Sequence, residues 1–114
     1  MSGFANQSFA KRWYRLSLLE QLGNVGSEVE RVISWRNKNN VELSRKAFYR
    51  SLELLDLTIG DPRWRGGRLK ELTRAREVLC DAFVGDNLYR TPPEFMSKYF
   101  YQFALAARRK NDKQ

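Results

Sequence analysis

Histidine is absent from all 114 residues, and cysteine occurs once, as Cys80. The first absence removes the commonest general base and the commonest metal ligand, and with them every Ser-His or Cys-His arrangement. A lone cysteine makes neither an intramolecular disulfide nor a structural zinc site, and it fits a reducing compartment. No apolar run approaches the roughly 18 residues needed to span a bilayer, and the opening MSGFANQSFAKRW lacks the apolar core of a signal peptide. No GxxxxGK[ST] phosphate loop is present. The expectation is a cytoplasmic protein that is not an enzyme, with no metal, no cofactor and no membrane partner.

What the chain has in excess is positive charge. Lys and Arg number 21 against 13 Asp and Glu, giving +8 at pH 7 and a pI near 10.0. Such a balance favours polyanionic partners, nucleic acid before an anionic membrane surface. The charge is uneven: residues 1–19 carry +3, 60–76 carry +4 and 102–114 carry +3, while 20–59 are neutral and 77–101 carry −2. Three Trp, five Tyr and seven Phe within a 42% hydrophobic composition argue against disorder. The length suits one helical domain over 1–114, with a basic tail from about 108.

Apolar residues recur at helical spacing through most of the chain. Residues 7–38 stay in phase through Leu16, Leu19, Leu22, Gly26, Val29 and Ile33, which predicts one long first helix, bent at Gly23 and Gly26. The alternative is that GNVG ends one helix and starts another. RNKNN (36–40) is a turn, with Asn39 and Glu42 spaced as a capping box. A second helix over 41–59 is apolar around much of its girth and needs cover on more than one side. GDPRWRGG (60–67) ends it, Gly60 being placed for a left-handed cap, and a third helix runs over 67–84. Thr91-Pro92-Pro93-Glu94 caps a fourth helix, whose inner side is Phe95, Tyr99, Phe100, Phe103, Ala106 and Ala107, with fraying beyond about Lys110. The fold expected is all-α, a four-helix up-down bundle with a long first helix.

Asp56 stands within LELLDLTI, where a carboxylate is costly unless a cation meets it. The third helix supplies Arg74 or Arg76, and a structural ion pair of Asp56 with Arg76 would fix the bundle's register. A carboxylate metal site is the competing reading, but the Glu-x-x-His spacing of helical-bundle sites is missing. For phosphate contact the candidates are Lys11, Arg12 and Arg15 on the first helix, then Arg45 and Arg50 around Tyr49. In and after the loop they are Arg63, Arg65, Arg68 and Arg74, with Trp64 or Tyr49 free to stack on a base. Each group also has a plainer reading: a solvated helix face, or Trp64 folded back on the bundle as a lid of an otherwise mobile loop.

The runs AFYRSLELLDLTIGDP and RLKELTRAREVLCD, with LGNVGSEVER before them and KYFYQFALAARR after, resemble a pattern shared by small, mostly uncharacterised prokaryotic proteins. In size, basicity and helical layout the chain is also similar to the accessory variability determinant proteins of diversity-generating retroelements and to ribosomal intervening-sequence proteins. That resemblance implies a pentameric basic bundle that binds nucleic acid and a reverse transcriptase. It carries over no site residues. The function expected is therefore non-catalytic binding of RNA or DNA as a homo-oligomeric accessory subunit with a reverse transcriptase as possible protein partner. The alternative is a protein-interaction module without a nucleic-acid role. A helical nuclease using Arg-x4–6-His is disfavoured by the missing histidine.

Overall fold

The in-phase apolar spacing over 7–38 does not produce one helix. In the computed structural model, which describes residues 7–84 and 95–112, the chain turns at Tyr14–Ser17 between α1 (Gln7–Trp13) and α2 (Leu18–Asn37). Ser17 takes extended backbone, its hydroxyl accepts from the Glu20 N–H at 3.1 Å, and the Glu20 carboxylate accepts from the Ser17 N–H at 3.0 Å. This capping box satisfies two donors at once and starts a new helix. Hydrogen bonding to the carboxylate by the Ser17 backbone N–H first, and by the Ser17 side chain second, holds the Glu20 carboxyl below its usual range. Gly23 and Gly26 lie inside uninterrupted α2, so the alternative break does not fall there.

The restart also resets the buried face. Leu18, Gln21, Leu22, Val25, Val29 and Val32 point into the core, whereas Leu16, Leu19 and Ile33 are half-buried. Helix α3 (Val41–Ile59) has its expected limits, but Asn40 rather than Asn39 caps it, accepting from the Leu43 N–H at 3.0 Å. Asn39 makes the left-handed turn just before, at φ 61°, a conformation asparagine tolerates. Gly60 is right-handed (φ −77°), so its expected left-handed cap does not form. A Cβ there would make ordinary contacts, 3.4 Å from the Asp56 carbonyl oxygen and 3.5 Å from the Tyr14 hydroxyl. The left-handed glycine is Gly66 (φ 64°), at the N-cap of α4 (Gly67–Phe83).

Helix α2 packs most extensively on α3 and on α5 (Met96–Asp112), and α3 is also met by α4 and α1. The wide apolar girth of α3 is thus covered from three sides, as its sequence required. Asp56 meets Arg76 while Phe48 meets Phe83 at 5.8 Å, so α3 and α4 run antiparallel. Met96 and Phe100 are fully buried and anchor α5, whereas Phe95, expected inside, is exposed. The helix continues to Asp112, past the expected fraying point. The Thr91–Glu94 cap and the Ala107 side chain lie outside the described residues. The described chain is all helix, and none of its helices is long and apolar enough to cross a membrane.

Gly23 is exposed on α2, and a Cβ there would meet nothing within 4 Å. Glycine costs a helix interior about 0.5–1 kcal/mol relative to alanine. Gly23→Ala is therefore expected to raise the unfolding free energy by that amount, read as a higher urea midpoint at an unchanged m-value; a lower midpoint would show that α2 needs a glycine there.

Candidate nucleic-acid interface

Among the described residues the buried acid is Asp61, not Asp56. Asp61 is 1% exposed, while the Asp56 side chain is 41% exposed. Four donors converge on Asp61. Gln21 Nε2 donates to Oδ2 at 3.0 Å, the Arg63 N–H to Oδ1 at 3.0 Å, Arg63 Nε to Oδ1 at 3.1 Å, and Arg63 Nη2 to Oδ2 at 2.7 Å. Burial alone would raise this carboxyl's pKa, but the Arg63 and Gln21 hydrogen bonds and the Arg63 charge outweigh it and hold the group below its ordinary value. The same carboxylate keeps the Arg63 guanidinium charged above its usual range.

The cluster ties the loop after α3 to the elbow between α1 and α2. Gln21 Nε2 also donates to the Trp13 carbonyl at 2.9 Å, and its Oε1 accepts from Trp64 Nε1 at 2.9 Å. Arg63 Nη2 reaches the Leu16 carbonyl at 2.6 Å, and Trp13 Nε1 donates to Thr58 at 3.0 Å. The loop expected to be mobile is pinned on both sides. Trp64 is folded back on the core, with Arg63 over its ring at 4.5 Å and Arg68 at 5.9 Å. Trp13, which stands among charges in the sequence, is a core residue.

These bonds join the +3 segment to the +4 segment. Lys11, Arg12, Arg15 and Arg65 are exposed and Arg68 is half-buried; none forms a salt bridge among the described residues. Beside the elbow, Arg12, Arg31 and Arg50 line a cleft of 450 Å³ with Phe9, and the Arg12 and Arg50 guanidiniums lie 5.9 and 4.8 Å from that ring. Two of the three have local acids, Arg31 with Glu28 at 2.7 Å and Arg50 with Glu53 at 3.4 Å. Such i,i+3 pairs are worth about a few tenths of a kcal/mol.

The remaining candidates lie elsewhere. Arg45 and Tyr49 border a groove at the other end of α3, with Arg36, Val41 and Val84. Arg74 lines a cleft between α4 and α5 with Lys70, Glu71 and Tyr99. Burial raises the Tyr99 hydroxyl's pKa, against the lowering effect of Arg74. Arg76 does pair with Asp56, Nε to Oδ1 at 2.6 Å, but both are too exposed for a costly buried pair. An ion pair so placed is worth about 0–1 kcal/mol.

Ser17, Gln21 and Asp61 are the residues that sequence reasoning missed as organisers of this surface. The S-L-L-E spacing carries a signal for the first; nothing local marks Gln21 as buried. Burial pushes the Cys80 thiol up, so its thiolate is disfavoured. Among the described residues no group of three His, Cys, Asp or Glu side chains gathers to hold a metal. No protein-family model, curated protein or solved structure matches the chain.

Asp61→Asn keeps the shape but removes the charge facing Arg63, and is expected to destabilise the protein by about 2 kcal/mol at neutral pH. Because the folded-state pKa of Asp61 is depressed, its contribution is present above the unfolded value near 3.9 and fades as pH falls through the folded value. The difference in urea midpoint between the two proteins should therefore shrink steadily below about pH 4. A difference that stays constant to pH 2 would show that Asp61 is not held ionised by its neighbours.

Proposed function

We propose that the protein binds RNA or DNA without catalysis, gripping phosphates at the elbow of α1 and α2 and the adjoining loop. Lys11, Arg12, Arg15, Arg65 and Arg68 make the contacts there, with Arg50 beside them, while Arg63 and Trp64 hold the surface in shape. The observation that carries this reading is the union of two basic segments by the Arg63–Leu16 and Gln21–Asp61 bonds. Joined cations sum their fields over a polyanion, and arginine forks suit phosphate oxygens. No large apolar side chain is exposed on this surface among the described residues, which fits a backbone-reading rather than a protein-binding role.

The wider setting belongs to the same proposal. The four longer helices make an up-down bundle, working in the cytoplasm as a homo-oligomeric accessory subunit of a nucleoprotein complex that includes a reverse transcriptase. The resemblance in size, charge and layout supports that setting, and the antiparallel α3 and α4 support the bundle.

Fluorescence anisotropy with labelled single-stranded and duplex RNA and DNA tests the binding. With about six phosphate contacts, duplex affinity should fall roughly 10³-fold between about 50 and 200 mM salt. Arg15→Ala and Arg65→Ala should each weaken binding to all sequences alike and flatten the salt slope by about one contact. Absence of affinity at low salt would end this reading.

A further inference from the structure

Three of the large apolar side chains most open to water, Val41 (66%), Tyr49 (55%) and Val84 (69%), surround one groove. Phe48 and Phe83 line it between them, and it encloses 470 Å³. Single exposed apolar residues are ordinary on a protein surface, but a contiguous group beside a concavity marks an interaction site. The charged lining is of one sign. Arg36 and Arg45 border the groove with no acid among its described lining residues. Arg36 lies 5.9 Å from the centre of the Phe83 ring. Neither arginine has a carboxylate within salt-bridge distance among the described residues.

We propose that this groove docks an acidic, apolar segment of a partner protein. Large apolar side chains of the segment enter between Tyr49 and Val84, and its carboxylates meet Arg36 and Arg45. Charge decides among the possible occupants. A second copy seated symmetrically would bring the arginines of one chain against those of the other, between molecules that each carry +8. A nucleic-acid backbone would satisfy the arginines but leave Val41 and Val84 in water. Carboxylates next to apolar side chains answer both features at once. The inference is independent of nucleic-acid binding at the elbow, since Arg45 lies ~22 Å along α3 from Gly60.

The test begins with a random-peptide display library selected on the full-length protein and counter-selected on a Val41→Ser, Tyr49→Ser, Val84→Ser variant. All three side chains are exposed, and a thermal melt checks that the variant folds. The retained peptides should combine Asp or Glu with large apolar residues. A labelled synthetic copy should bind the triple variant, and also an Arg36→Glu, Arg45→Glu variant, at least about tenfold more weakly than the original protein. Exchanging the peptide's acids for lysine should restore binding to the charge-reversed variant. Retained peptides that are basic or uncharged would overturn the proposal, as would a library yielding none that the triple variant loses. A dimer in light scattering that the triple variant dissolves assigns the groove to a second copy. Loss of RNA or DNA affinity in that variant assigns it to nucleic acid. Either result also overturns the proposal.

Discussion

A carboxylate with 1% of its side chain in water has to be met by donors, and the folded shape of this protein depends on how Asp61 is met. An ionised carboxylate taken out of water without partners costs several kcal/mol even after relaxation. Here the partners come from two segments far apart in the chain: Arg63 from the same loop, and Gln21 from the first turns of α2. Gln21 is itself fully buried, and its amide is spent on Asp61, Trp13 and Trp64, so it has no freedom to turn. A loop of glycines and arginines, which on its own would sample many conformations, is thereby given one.

The consequence for charge is indirect. Arg63 neutralises Asp61 and leaves the surface its structural fork, while the cations without carboxylate partners remain around it. Because Arg63 also closes on the Leu16 carbonyl, Arg15 is carried beside the loop that holds Arg65. The Ser17–Glu20 capping box contributes at the same place, since it makes the chain turn after α1 instead of carrying Lys11 and Arg12 straight along α2. Two small local features, one acid and one serine, thus decide how the basic segments 1–19 and 60–76 are brought together.

Periodicity made α3 and α4 legible in the sequence, one at both limits and the other to within a residue, because Asn-rich and Gly-Pro turns bracket strong apolar repeats. The break at Tyr14–Ser17 was harder to see. It contains neither glycine nor proline, and the apolar spacing continues across it by coincidence of phase. Asp56 misled for a different reason. Its leucine neighbours in sequence point away from it around the helix, so an apolar run says little about one polar member's surroundings. Asp61 stands in a polar stretch and is nonetheless buried, because burial there comes from α1 and α2 folding over it. The cations of the site were legible by type, but their grouping was not. Arg45 and Tyr49 belong with exposed valines, and Arg74 with the α4–α5 cleft.

Separation along α3 gives these groupings physical weight. Arg45 and the loop after Gly60 are ~22 Å apart by helical rise, whereas the screening length at physiological salt is about 8 Å. Charges more than two screening lengths apart through solvent scarcely feel one another. Phosphates held by Arg65 and Arg68 after Gly60 would therefore leave Arg45 as attractive to a carboxylate as before, whereas Arg50, at the elbow's edge, stands only ~8 Å along α3 from Arg45 and is a cation whose field reaches both surfaces. The apolar content of the two surfaces differs in the same sense. The elbow's wide aromatic residues, Trp13 and Trp64, are turned inward and hydrogen-bonded, while the groove's Tyr49, Val41 and Val84 face water. A +8 chain whose only means of recognition was charge would have no reason to keep those three outside.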